Sequence, residues 1–168
     1  MANVARRRNA VTRNAVTGEV VRVKLKNAPV APGNVLVHVG KLLDQKVRSD
    51  ADVVRLVVNG LPARSLTRLA TKVRGAGKLV APGTTVRRRL KDDERFSVGE
   101  SERMVRLARV YALAVEVFGE EARAEAWLER SLEYLPGQAS QSPLELAVTD
   151  PGARMVEGML LKTQHGLF

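Results

Sequence analysis

The sequence contains no cysteine, and only 4% of its residues are aromatic. The absence of cysteine excludes disulfides, thiolate metal ligands and cysteine nucleophiles, and it fits a reducing cytoplasm. No apolar run approaches the roughly 18 residues that a membrane span requires. The basic N-terminal stretch is not followed by the long apolar segment of a signal peptide. We therefore expect a cytoplasmic protein with no membrane partner.

Recognisable catalytic motifs are also lacking. The two histidines, His38 and His165, lie far apart in sequence, and no HExxH, GxSxG or P-loop pattern occurs. The segment Gly75–Lys78 lacks the glycine spacing of a phosphate loop, so an interhelical turn is the better interpretation. The glutamates of residues 116–129 recur at helical spacing among arginines, as on a solvated helix face. The sequence thus predicts a non-enzymatic protein without cofactor or metal.

Positive charge is concentrated in the first part of the chain, whose net charge is +10. Residues 1–96 hold 21 Lys and Arg against 7 Asp and Glu, whereas residues 97–168 hold 7 against 11. Such segregation predicts two functions, with a polyanion bound by the first part through the release of counterions. The alternative is a basic surface whose charges are simply solvated.

Helix-breaking and helix-capping residues divide the chain into three predicted parts, in a fold that is mainly α. Residues 1–45 form a basic arm, in which residues 16–26 alternate loosely as in a strand and Pro32 and Gly33 interrupt regular structure. Residues 46–96 suit three short helices in a degenerate helix-turn-helix arrangement. Residues 97–168 suit a helical domain with capping boxes at Ser97 and Ser142.

The third short helix of the middle part carries the candidate DNA-binding residues. Thr84 or Thr85 is expected to cap it, and Arg87, Arg88 and Lys91 follow. Hydroxyls and a helix N-terminus can hold phosphate, while one or two arginines reach guanine edges in the major groove. Three acidic residues directly after Lys91 limit where the groove-facing side can end. A solvated basic helix fits the same residues equally well.

The two apolar residues that end the sequence, Leu167 and Phe168, permit two interpretations. They can fold back onto the last helix. They can also fill a pocket of a partner, where the buried apolar area and one carboxylate would anchor them. The residues alone favour neither interpretation.

Several short motifs occur in order over residues 97–168. They are Arg103 with Leu107-Ala108-Arg109, Val117-Phe118-Gly119, Ala126-Trp127-Leu128, Pro143-Leu144-Glu145-Leu146, Gly152-Ala153 and the final His165-Gly166 with its apolar pair. Together they resemble the toxin-binding domain of Xre/MbcA/ParS-type antitoxins, the partners of RES-domain toxins. Upstream, Gly60-Leu61-Pro62 and Thr85–Arg89 resemble the family's Xre-like helix-turn-helix, although the helix before the basic one is short or absent.

The resemblance implies an antitoxin for a RES-domain toxin, which resembles ADP-ribosyltransferases and consumes NAD or transfers from it. It implies that the C-terminus, here Gln164, His165, Gly166, Leu167 and Phe168, lies in the toxin's NAD pocket. It also implies binding to double-stranded DNA at the chain's own promoter, as a homodimer within a hetero-oligomer. One alternative is a stand-alone basic helix-turn-helix regulator whose second half dimerises. Another is an RNA-associated protein, for which aromatic residues are few.

Overall fold

The computed structural model describes residues 10–13, 20–23, 32–134 and 136–165, which form two strands and nine helices. The elements are β1 (Ala10–Arg13), β2 (Val20–Val23), α1 (Pro32–Leu43), α2 (Asp50–Asn59), α3 (Ala63–Ala70), α4 (Ala76–Val80), α5 (Gly83–Lys91), α6 (Val98–Phe118), α7 (Glu121–Glu129), α8 (Pro143–Leu146) and α9 (Asp150–His165). The mainly helical fold that the sequence predicted is confirmed.

The two strands form an antiparallel pair within the basic arm. Ala10 pairs with Val23 and Arg13 with Val20, so β2 lies inside the stretch of alternating residues 16–26. The strand partner is therefore another segment of the arm itself. In the described part of the chain after residue 45, strand-like pairing is limited to an isolated bridge between Leu132 and Gln141.

Helix α1 is a feature that the sequence analysis missed, because Pro32 and Gly33 were interpreted as interruptions. Pro32 begins the helix instead, at a position where proline costs no hydrogen bond because the first amides of a helix have no partner within it. Val39 and Leu43 are fully buried where α1 packs against α6 and α3. Their spacing of four residues is a helical signal that the neighbouring proline obscured.

The predicted capping boxes are present at Ser97 and Ser142. In each box the serine hydroxyl accepts from an amide of the first turn, and a glutamate accepts from the serine amide in return. Ser49 forms the same arrangement with Asp52 at the start of α2. Gly119, with φ at 74°, ends α6 in the left-handed conformation that favours glycine. These boundaries depend on residues close in sequence, which is why they could be predicted.

Helix α6 is the centre of the core and contacts α1, α2, α3, α4, α7 and α9. Its buried residues occur on several sides of the helix, and Leu107, Val110 and Ala114 are fully enclosed. A helix with apolar residues on several sides packs against more than one neighbour, as α6 does. Among the residues that the structure describes, no helix is long and apolar enough to cross a membrane.

Helix α7 buries only some of its apolar residues. Ala122 and Ala126 are exposed. Ala124 and Leu128 are buried instead, one helical turn apart. Trp127 is half-buried, and its ring centre lies 5.8 Å from that of Phe118. Alanine suits either environment, so it gives a weak signal for the buried face of a short helix.

Candidate functional site

The exposed face of α5 brings together four of the five predicted DNA-binding residues. Thr84, Arg87, Arg88 and Lys91 are exposed and follow one another at i, i+3, i+4 and i+7, which places them on one side of the helix. Thr85 lies off this face and is half-buried. We call the four exposed residues the basic face. It presents three cations and one hydroxyl side by side to solvent.

The expectation that Thr84 or Thr85 caps α5 is wrong. The helix begins at Gly83, before either threonine, so both threonines lie in its first turn. The capping position is occupied by Pro82, whose side chain offers no hydrogen bond. Helix α4, with five residues, agrees with the prediction of a short or absent helix before the basic one.

Two of the three cations on the basic face have no carboxylate within ion-pair distance among the described residues. Arg88 Nη1 donates to Glu94 Oε1 at 2.6 Å, so its charge is largely neutralised. In the described part of the chain, no carboxylate lies within ion-pair distance of Arg87 or Lys91. Of the acidic residues after α5, Glu94 pairs with Arg88, whereas Arg87 and Lys91 remain exposed without an ion-pair partner in the described part of the chain.

Arg89 belongs to the same run of arginines but points into the protein, where its side chain is 16% exposed. Its Nε lies 2.9 Å from Glu100 Oε2 without hydrogen-bond geometry, and its guanidinium carbon lies 5.7 Å from the centre of the Phe96 ring. Its Nη1 donates to the carbonyl of Arg95 at 2.5 Å. Sequence analysis did not single out Arg89, because a run of three arginines gives no sign of which one is buried.

The predicted toxin-binding residues follow at the end of α9. Helix α9 runs to His165, with Val156 and Leu160 fully buried, whereas Gly166, Leu167, Phe168 and the side chain of His165 lie outside the described residues. Gln164 is the one predicted residue whose side-chain burial is described, and it is half-buried. The described part of α9 therefore includes only the first two of the five predicted residues.

Contacts between α6 and α9 show that the two helices run in the same direction. Arg106 of α6 donates to the carbonyl of Val148, just before α9, at 2.8 Å. Further along, Arg109 lies 3.7 Å from Glu157, and Leu113 lines the same cleft as Leu161. Residue numbers thus rise together on both helices, so α9 ends beside the C-terminal end of α6.

Helix α5 contacts the opposite end of α6, where Arg89 of α5 pairs with Glu100 in the first turn of α6. Helix α6 has 21 residues, which corresponds to roughly 32 Å at 1.5 Å per residue. The basic face and the end of α9 are therefore separated by much of the length of one central helix.

The acidic helix α7 forms ion pairs with basic side chains in the segment between α3 and α4. Lys72 Nζ lies 2.6 Å from Glu121 Oε2, and Arg74 Nη1 lies 3.6 Å from Glu129 Oε2. Some glutamates of the predicted solvated face thus connect the first and second halves of the chain. No group of three or more histidine, aspartate or glutamate side chains in the described part is placed to hold a metal ion.

A cleft of about 240 Å³ lies between α1, α3, α6 and α7, with Tyr111 in its lining. The Tyr111 hydroxyl donates to Glu125 Oε1 at 2.8 Å. Burial of the phenol, together with this carboxylate, raises the pKa of Tyr111 well above its ordinary value. Tyr111 therefore remains a hydrogen-bond donor, and it joins α6 to α7 rather than providing a general base.

Comparison with known proteins places the C-terminal part of the chain in a described domain family. Residues 113–166, from the second half of α6 to the end of α9, match the family described as the antitoxin Xre/MbcA/ParS C-terminal toxin-binding domain. An antitoxin Xre of Pseudomonas putida (strain KT2440) is 31% identical over 133 residues, which are 74% of this chain and 79% of that protein. An antitoxin Xre of Yersinia enterocolitica is 34% identical over 119 residues, 70% of this chain and 64% of that protein.

The helical framework and the matched segment define the class of this protein, which is an antitoxin with a C-terminal toxin-binding domain. The similarity to the Pseudomonas relative covers 74% of this chain, so it reaches beyond the matched domain into the first half of the chain. The chain belongs to the Xre antitoxin family. The resemblance seen in the sequence motifs is thereby confirmed, and the family relationship supports an antitoxin function and a non-enzymatic, regulatory protein.

Proposed function

We propose that the chain neutralises a RES-domain toxin that consumes NAD or transfers ADP-ribose, by occluding its active site with Gln164–Phe168. The observation that carries the proposal is the match to a toxin-binding domain that extends to residue 166, which includes the first residues of this segment. Val156 and Leu160 fix α9 on the core, so the segment begins from a firmly held helix. Leu161, 42% exposed near the end of α9, would add apolar surface for the toxin.

We propose further that the basic face of α5 binds the chain's own promoter, so that the pair represses its own synthesis in the cytoplasm. The support is the unneutralised charge of Arg87 and Lys91 on an exposed helix. The length of α6 between the two interfaces supports simultaneous binding of DNA and toxin. Phosphate contacts would supply affinity, and Arg87 would contribute to reading a base edge.

The direct test is co-expression of this chain with the neighbouring reading frame, followed by affinity purification of this chain. We expect a RES-like protein to co-purify, and its expression alone to be toxic. If nothing co-purifies and the neighbour is harmless, the proposed toxin is wrong. The chain should then be pursued as a stand-alone DNA-binding regulator.

A homodimer is the third part of the proposal, and helix α2 offers a surface for it. Val54 and Val58 lie one turn apart on α2 and are 61% and 65% exposed. With two aspartates and one arginine, α2 has a net charge of −1, whereas the other described helices before residue 97 are basic. A second copy could therefore approach α2 with less charge repulsion than elsewhere on this half. Paired copies would present two basic faces to two half-sites.

We expect Val58→Asp to shift the protein from dimer to monomer, because a carboxylate at the centre of the contact would have to be desolvated. Sedimentation equilibrium over a range of concentrations measures this shift. Val37→Asp is the matched control, since Val37 is 49% exposed but lies on α1. If the dimer tolerates aspartate at both Val54 and Val58, α2 is not the interface.

A further inference from the structure

We propose that Arg89 is a positioning residue for DNA binding: it does not touch DNA but fixes the direction in which α5 presents the basic face. The inference rests on the proposed DNA binding and adds a residue outside the predicted interface. It follows from how weakly α5 is held by apolar contacts. None of the residues of α5 is fully buried, and Val86 is its one apolar side chain that is half-buried against the core.

Arg89 compensates for this weak packing, because its guanidinium joins α5 to the start of α6. The guanidinium contacts Glu100 in an ion pair, Glu94 in a longer one at 3.5 Å, the carbonyl of Arg95 and the face of the Phe96 ring. The ion pair with Glu100 is largely shielded from water, which strengthens the attraction between the two charges. An aliphatic side chain at this position would leave α5 attached mainly through Val86 and its two ends.

The segment that receives Arg89 is itself firmly anchored. The amide of Phe96 donates to the carbonyl of Leu61 at 2.8 Å, and the amide of Leu61 donates to Ser101 Oγ at 2.9 Å. Phe96 and Leu61 are almost completely buried. Arg89 therefore connects an exposed, loosely packed helix to a rigid part of the core. The direction of the basic face is determined at this connection.

Glu100 has two partners, which makes the connection sensitive to its charge. Its Oε2 accepts from the amide of Ser97 at 2.7 Å as part of the capping box, and the same oxygen lies 2.9 Å from Arg89 Nε. Glutamine can keep the first interaction through its amide oxygen, but it removes the charge that holds the arginine. Glu100→Gln thus separates the positioning of α5 from the capping of α6.

The experiment compares Arg89→Lys with Arg106→Lys in the full chain. Lysine retains the positive charge but loses the planar fork of donors, so only the contacts change. Arg106 is a close match for Arg89: its side chain is 20% exposed, it also binds a backbone carbonyl, and its Nε is likewise buried without a hydrogen bond. It differs in tying α6 to the chain before α9 rather than to α5. Each variant is titrated against a duplex from the region upstream of the chain's own gene.

We expect Arg89→Lys to weaken binding to this duplex about tenfold, the equivalent of ~1.4 kcal/mol, with an unchanged salt dependence. Glu100→Gln should show the same pattern, whereas Arg106→Lys should bind DNA like the parent chain even if its melting temperature falls. Parent-like affinity of both Arg89→Lys and Glu100→Gln overturns the inference. So does a reduced salt dependence in Arg89→Lys, which would mean that Arg89 itself contacts phosphate. If the parent chain does not bind the duplex at all, the proposed DNA binding fails instead.

Discussion

Deletion of Gln164–Phe168 is expected to weaken inhibition of the toxin by at least about 100-fold. Burial of two large apolar side chains such as Leu167 and Phe168 contributes roughly 3–6 kcal/mol in total, and every 1.4 kcal/mol is a factor of ten in affinity. The deletion spares Leu160, the last buried residue of α9 in the described part of the chain, so the fold should persist. NAD consumption by the toxin, measured against antitoxin concentration, gives the inhibition constant.

A full-length control separates the apolar pair from the length of the segment. The double variant Leu167→Ser, Phe168→Ser keeps every backbone atom and should lose most of the same inhibition. Val37→Ser, at a valine 49% exposed on α1 and outside the matched residues 113–166, is the control change at another surface and should inhibit normally. Full inhibition by the deletion variant would show that other surfaces of the domain block the toxin.

Replacement of Arg87, Arg88 and Lys91 by alanine is expected to reduce promoter affinity more than any other change on this side of the molecule. Each phosphate contact that is lost should flatten the dependence of log affinity on log salt concentration by about 0.9. Loss of a bidentate contact with guanine should cost about 1–3 kcal/mol in addition. Titrations at several salt concentrations give both quantities. An unchanged affinity and salt dependence would mean that α5 does not contact DNA.

Single substitutions can test the assignment in more detail, since the three cations differ in their surroundings. Arg87→Ala should cost more than Arg88→Ala, because Glu94 already neutralises Arg88. Glu94→Gln should strengthen DNA binding, since it releases Arg88 and removes a negative charge near the phosphates. Arg89 also loses a 3.5 Å ion pair with Glu94, but it keeps its shorter contacts with Glu100 and the carbonyl of Arg95. Equal losses for the two arginines, together with no gain from Glu94→Gln, would contradict the described basic face.

Local signals allowed much of the fold to be predicted from the sequence. The capping boxes at Ser97 and Ser142 involve residues three positions apart, so their chemistry is visible in a short window. The start of α1 was missed because proline has two opposite meanings, a break within a helix or a favourable first residue. Which meaning applies depends on burial of Val39 and Leu43 against α6, and that contact is between distant segments.

In the candidate site, too, the features set by neighbouring residues could be predicted, whereas those set by contacts with other segments could not. The exposed spacing of Arg87, Arg88 and Lys91 follows from helical geometry alone. The surroundings of the other arginines depend on carboxylates outside α5. Arg89 pairs with Glu100 on α6, and Arg88 pairs with Glu94 in the segment after α5. Side-chain partners of this kind are determined by the path of the chain, which composition and periodicity do not specify.

The family's toxin-binding segment begins at residue 113, inside α6 rather than at its start, so one uninterrupted helix belongs to both halves of the protein. Its fully enclosed residues lie on both sides of that point, for example Leu107 before it and Val117 after it. Under the proposed function, a substitution that unfolds α6 would abolish neutralisation and repression together. A cell carrying such a mutation would produce more toxin at the moment when its inhibitor is lost. Selection should therefore act on these core positions as strongly as on either binding surface.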